Sequence, residues 1–249
     1  MSGHSKWHNI RLKKGKMDAD RGKIFTKIAR EIIVAAKSGG GNPDTNITLR
    51  NAMAKAREAS MPADNVKRAI QRGTGELEGA SYEEMTYEGY GPGGVAILVA
   101  CLTDNKQRTV SDVRSYFTKT GGRLGESGSV GYLFDPKGVI IIDPDVADEE
   151  KVTEAAIEGG AEDIQATDDG GFEITTDPGD LNAVQKALDA ANIKYSSAEH
   201  SMIPQTTVEV SGKEAGQVLR LMDYLEDNDD VQKVYANFDI PEGDPAAGG

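Results

Sequence analysis

The sequence predicts an α+β protein of three domains: an N-terminal three-helix domain and two ferredoxin-like α+β domains, one inserted in the other. Three observations lead there. Up to Gly75 the apolar residues recur at helical spacing, and beyond it the period changes to two. Residues 137–203 then read β-α-β-β-α-β, the ferredoxin-like order. On either side of that stretch lies a β-α-β unit that cannot close a sheet alone, and together the two units make a second domain. The expected division is 1–78 for the helical domain with a basic arm, 79–135 and 204–240 for the discontinuous domain, 136–203 for the insertion, and 241–249 for a disordered tail.

Helix one is expected to begin near Asp18 or Asp20, whose carboxylates suit a helix N-terminus, and to stop at Ser38-Gly39-Gly40-Gly41. Ile24, Phe25, Ile28, Ile32 and Ala36 form its apolar face, opposite Lys23, Lys27, Arg30 and Lys37. Thr45 or Asn46 caps helix two, which turns Leu49, Ala52, Met53 and Ala56 inward. Pro62 opens helix three, Val66, Ala69 and Ile70 face in, and Gly73 closes it. The short connection between helices two and three is a loose match to helix-turn-helix geometry.

In the discontinuous domain Met85–Tyr90 and Val95–Leu102 read as strands joined by Gly91-Pro-Gly-Gly94. Asn105–Thr120 reads as a helix with Val110, Val113 and Phe117 inward, and Val130–Phe134 as a strand. The glycines at 121, 122, 125, 128 and 131 suggest a flexible connection. The inserted domain follows as strand Gly138–Asp143, helix Asp148–Glu158, a strand around Ile164, a turn at Asp169-Gly-Gly171, strand Phe172–Thr176, helix Leu181–Ala191 and strand Lys194–Ser201. The discontinuous domain resumes with strand Thr206–Val210, helix Lys213–Leu225 and strand Val231–Phe238.

Charge is distributed unevenly. The chain has 28 Lys and Arg against 41 Asp and Glu, a net charge of −13 over 249 residues. Residues 1–75 hold 16 of the basic groups and only 6 of the acidic ones, a net of +10, which leaves −23 for the rest. Such asymmetry points to a polyanionic partner for the first part of the chain. The candidate contacts are Lys6, Arg11, Lys13, Lys14, Lys16 and Arg21 in the arm, Lys23, Lys27 and Arg30 on helix one, and Lys67, Arg68 and Arg72 on helix three. Trp7 joins them as a ring that can stack on a base; the other reading is that it anchors the arm on its own protein. Asn65, Arg68, Gln71 and Arg72 are the only candidates for reading base edges.

No enzyme constellation stands out, and neither cofactor nor metal is expected. His4 and His8 are four apart, but no cysteine or nearby carboxylate completes a site. Gly89-Tyr-Gly-Pro-Gly-Gly94 runs into a strand, whereas phosphate cradles open a helix. The single cysteine, Cys101, fits a reducing compartment. The longest apolar run, Val95–Leu102, is far short of a membrane span, and the basic start lacks the apolar stretch of a signal peptide. A cytoplasmic location without membrane contact follows as the expectation. The acidic clusters Asp148–Glu150 and Glu226–Asp230 have the spacing of solvated helix ends; a docking surface for a basic partner, such as a ribosomal protein, is the alternative.

Gly3-His-Ser-Lys-Trp7, Lys13-Lys-Gly-Lys16, Asp20-Arg-Gly-Lys23 and Phe25-Thr-Lys27 resemble the start of the YebC/PmpR family. So do Met61-Pro62, Asn65, Arg68-Ala-Ile70, Tyr87-Glu-Gly-Tyr-Gly-Pro-Gly-Gly94, Thr103-Asp-Asn105, Arg108-Thr109 and Ala236-Asn-Phe238, and the likeness runs over essentially the whole chain. The resemblance implies a helical N-terminal domain and two α+β domains in a cytoplasmic DNA-binding transcriptional regulator, with no catalytic residues to carry over. It also includes a mitochondrial translational activator of a cytochrome oxidase subunit and bacterial members linked to stalled ribosomes, so a ribosome- or RNA-associated translation factor is the alternative. The partner is nucleic acid, DNA or ribosomal RNA, and charge asymmetry fits both equally. Oligomeric state is not legible in the sequence.

Overall fold

The computed structural model describes residues 21–144, 146, 148–167, 170–241 and 243–246. Three helices come first: α1 (Arg21–Gly39), α2 (Ile47–Glu58) and α3 (Ala63–Gly73). Their common core is Ile28, Ile32, Ile33, Ala35 and Ala36 of α1 against Leu49, Ala52 and Ala56 of α2, with Met61 and Ala69. The expected starts at Asp18 and Asp20 lie outside the described residues. Ile24, placed on the apolar face by its spacing, is instead exposed.

Asn46 fixes the first helical corner. Its side-chain oxygen accepts from Leu49 N at 3.0 Å, capping α2, while Nδ2 donates to Ala35 O and Gly40 O at 2.8 Å. Gly40 takes the left-handed φ of +82° that ends α1. Gly73 sets the spacing of α1 and α3: a methyl group there would lie 2.5 Å from Ile33 O and 2.6 Å from the Ala36 side chain.

The discontinuous α+β part begins with β1 (Glu83–Tyr90) and β2 (Ala96–Thr103), an antiparallel hairpin. It continues through α4 (Lys106–Thr120) and the two-residue β3 (Arg123–Leu124). After the insertion come β8 (Val208–Glu209), α7 (Gly212–Glu226), β9 (Val231–Ala236) and β10 (Phe238–Asp239). The sheet order is β3-β1-β2-β9, each neighbour antiparallel, and β8 and β10 form a separate parallel pair. Val95, Ile97, Val99 and Cys101 alternate along β2 and pack against Val113 and Phe117 of α4 and Val218, Leu221, Met222 and Leu225 of α7.

The layering is ferredoxin-like, two helices on a four-stranded antiparallel sheet, but the chain order differs. The hairpin β1–β2 precedes the first helix, and the strand expected at Val130–Phe134 is absent. Gly131–Leu133 is a single 3-10 turn. The cause is Glu88, a buried carboxylate on β1 that accepts from Gly128 N at 2.8 Å and from Val130 N and Gly131 N at 2.7 Å. Those amides are therefore unavailable to a ladder, and the glycine-rich loop is an organised structure rather than a flexible connection. Burial pushes the Glu88 carboxyl up, and the three amides outweigh it to leave the pKa below the ordinary value. At the other end, β9 stops where Asn237 puts its side-chain oxygen 2.7 Å from Ala96 N, in place of a strand carbonyl.

The inserted domain runs β4 (Phe134–Ile142), α5 (Glu149–Gly159), β5 (Ala161–Ala166), β6 (Phe172–Thr176), α6 (Leu181–Ala190) and β7 (Ser197–Pro204). Its sheet order β5-β6-β4-β7, antiparallel throughout, is the ferredoxin-like arrangement. Ile140, Ile142 and Ile174 meet Val152 of α5 and Val184 and Leu188 of α6 in its core. The last strand starts three residues later than its apolar pattern suggested. Asp169 of the expected turn lies outside the described residues.

Residues 132–207 form one compact unit, and the described residues before 132 together with those from 208 onward form the other. Part of the expected disordered tail is built into the second unit. Asp244 accepts from Gly212 N at 2.7 Å, at the start of α7, and from Ala246 N at 2.8 Å. These two amide bonds hold the Asp244 carboxyl below its ordinary pKa.

Candidate nucleic-acid interface

The cationic row on α1 exists as the periodicity implied, and its first three members engage the chain's own residues. Lys23 pairs with Asp227 at 3.2 Å and Lys27 donates to the Glu226 carbonyl at 2.7 Å, at the C-terminus of α7. Arg30 is buried and donates to Leu102 O, Asp229 O and Asp230 Oδ1 at 3.1, 2.5 and 2.6 Å, with Tyr82 stacked 5.0 Å beneath its guanidinium. Arg30 is therefore withdrawn from any surface that meets nucleic acid. The acidic run Glu226–Asp230, read from sequence as a solvated helix end or a docking surface for a basic protein, instead engages the chain's own helix. Lys23 keeps a different status, because an exposed ion pair is worth about 1 kcal/mol or less and yields readily to competitors.

Asp230 is the node of this contact. It is 3% exposed. It accepts from Arg30, from Arg108 Nη2 at 2.8 Å and from Thr109 Oγ1 at 2.7 Å. Burial alone would raise its pKa; the bonds from Arg108, Thr109 and Arg30 overcome that and hold the carboxyl below the usual range. Arg108 is pushed upward in turn, first by Asp230 and then by Asp104. Cys101 lies in the same field: burial and then the Asp230 charge raise its thiol to about 12. Sequence reasoning missed this node. Its signal was present in Arg108-Thr109 and in the acidic run, but those segments lie more than 100 residues apart.

Helix α3 is the contrasting case. Only Ala69 on it is fully buried. Lys67, Arg68 and Arg72 are exposed, and none of their side chains makes a hydrogen bond or ion pair with another described residue. Asn65 and Gln71 stand half-buried beside them. Arg21, also exposed, is the first described residue. Lys6, Trp7, Arg11, Lys13, Lys14 and Lys16 lie outside the described residues.

Two family models divide the chain between them. TACO1/YebC protein N-terminal domain matches residues 5–76, and TACO1/YebC second and third domain matches residues 82–238. The chain belongs to the TACO1/YebC family. Relatives named "probable transcriptional regulatory protein" include one from Persephonella marina, 58% identical over 243 residues that cover 97% of each chain. Another, from Geobacter sulfurreducens, is 58% identical over 240 residues covering 96% of each. The crystal structure of a conserved hypothetical protein from Aquifex aeolicus superposes with a TM-score of 0.83 at 48% identity, covering 92% of this chain and 94% of that one.

Several residues that carry the TACO1/YebC likeness have structural duties here. Asn105 caps α4 by accepting from Arg108 N at 3.1 Å, and Arg108-Thr109 hold Asp230. Glu88 organises the loop before the insertion, and Asn237 satisfies the first amide of β2. Arg68 and Asn65 are the exceptions: no partner among the described residues accounts for either side chain. No described helix is long and apolar enough to cross a membrane, and no group of three or more potential metal ligands occurs among the described residues.

Proposed function

We propose that this TACO1/YebC chain is a non-enzymatic, DNA-binding regulator of transcription whose helical domain meets the phosphates. The carrying observation is the α3 face, where three cations with no side-chain partner among the described residues project from one helix, while Lys23, Lys27, Arg30, Lys37, Arg50 and Lys55 are engaged. Exposed, unpaired Lys and Arg suit the phosphate backbone, which supplies most of the sequence-independent affinity. Asn65 and Gln71 on the same helix give the face amide groups of the kind that read base edges. The names of the relatives support the regulatory role. The net negative charge of residues 76–249 is no obstacle at a distance, because the screening length is about 8 Å at physiological salt.

The test is equilibrium binding of the full-length protein to a duplex fragment, with Lys67→Glu, Arg68→Glu and Arg72→Glu combined in one variant. The reading expects wild-type binding and near-complete loss in the variant, with an unchanged circular dichroism spectrum. Full affinity in a natively folded variant overturns it.

A further inference from the structure

We infer that the groove between α1 and α3 is a pocket for one unpaired nucleobase, with Arg68 and Arg72 placed to meet the phosphates on either side of it. The inference rests on the nucleic-acid reading and adds which form of nucleic acid the helical domain selects. Close packing at Gly73 brings α1 and α3 together at one end. Toward the start of α1 the helices leave a groove of about 240 Å³. Its apolar lining includes Phe25, Ala29, Met61 and Ala69, and its polar lining is Thr26 and Asn65 with the two arginines. The volume falls below the roughly 300–1,000 Å³ of sites for drug-sized ligands and suits one planar ring system.

Chemistry narrows the occupant. No acidic side chain among the described residues lines the groove, and two guanidiniums border it. An apolar slot with cations at its mouth complements a group that is flat and weakly polar itself but flanked by negative charge. A nucleobase between two phosphates fits this description. Phe25 is half-buried and belongs to the lining, so its ring supplies the aromatic surface on which bases stack. The Asn65 amide offers both a donor and an acceptor to a base edge. Entry requires a base out of its helical stack: a single strand meets this freely, whereas a duplex must first unpair.

The test uses the full-length protein and short oligonucleotides carrying one 2-aminopurine, as single-stranded DNA, single-stranded RNA and duplex DNA. Anisotropy reads affinity, and 2-aminopurine emission reads insertion of the base. The expected result is tighter binding of single strands than of the duplex, with an emission change on binding. In Ala29→Leu, which fills the groove, the emission change is lost and the ratio of single-strand to duplex affinity falls about tenfold. Either sugar supports the inference, and the one preferred names the source. Wild-type protein that binds all three with unchanged emission overturns the base pocket while leaving the phosphate interface standing, and this arm does not depend on the variant folding. Wild-type protein that binds none of them overturns the nucleic-acid reading itself.

Discussion

Replacing Asp230 with Ala should loosen the helical domain before it affects anything else. The substitution removes the countercharge of Arg30, whose side chain is 11% exposed and cannot re-enter water without movement of α1. Arg108 differs, because its side chain is 45% exposed and retains Asp104 at 2.8 Å. Removing one partner of a buried ion pair costs about 3–5 kcal/mol. Arg30 keeps the Leu102 and Asp229 carbonyls as acceptors, so the low end, about 3 kcal/mol, applies. With a urea dependence of about 2 kcal/mol/M, the midpoint of this unit should fall by about 1.5 M. Hydrogen exchange read by mass spectrometry locates the effect: α1 peptides should lose protection, and peptides of β4 and β7, in the other compact unit, should keep it. A double-mutant cycle with Arg30→Met should return a coupling of the same sign and about half the single-mutant cost or more. Unaltered α1 protection with an unaltered urea midpoint would refute the assignment of Asp230 as the anchor of the helical domain.

Other consequences can be checked together. Cys101, with its thiol raised to about 12, should resist a thiol-specific disulfide reagent at pH 8 and react once urea unfolds the chain; rapid labelling of native protein would contradict its burial. Glu88 and Asp230 both have folded-state pKa values below their unfolded values of about 4, so their contribution is fully present above about pH 4. It is lost as pH falls through the depressed values. The melting temperature should therefore drop on the acid side of pH 4, and less steeply in Glu88→Gln, which starts about 2 kcal/mol less stable. Gly73→Ala should cost about 1–3 kcal/mol by calorimetry, because the new methyl meets Ile33 O at 2.5 Å. Gly22→Ala, on α1 with nothing within 4 Å, should be neutral or stabilising; equal losses at the two positions would show that packing at Gly73 is not the cause.

Local rules carried much of the fold. Asn46 and Gly40 mark helix ends because capping and left-handed φ depend on neighbouring residues alone. The inserted sheet was legible because period-two runs and turns occur there in ferredoxin-like order. What failed depends on distant partners. Val130–Phe134 has the composition of a strand, and only the Glu88 carboxylate, about 40 residues earlier, shows why it is not one. The row Lys23, Lys27, Arg30 was placed on one helix face by spacing, but spacing does not say what a face meets. Its partners in the acidic run lie 199–204 residues away. Charge counting thus located an electrostatic interface and overlooked that part of its anionic partner is the chain's own Glu226–Asp230. The same rows of cations separate only once burial is known, Arg30 inward and Arg68 and Arg72 outward.

The most direct measurement is the salt dependence of duplex binding for three proteins: wild type, a Lys67→Ala, Arg68→Ala, Arg72→Ala variant, and a Lys23→Ala, Lys27→Ala variant. Each phosphate contact contributes about 0.9 to the slope of log affinity against log salt. Loss of the α3 cations should therefore shallow the slope by about 2.7, while loss of the α1 pair should leave it within about one contact of wild type. A wild-type slope in the α3 variant, or the full loss in the α1 pair, would contradict the placement of the phosphate interface on α3.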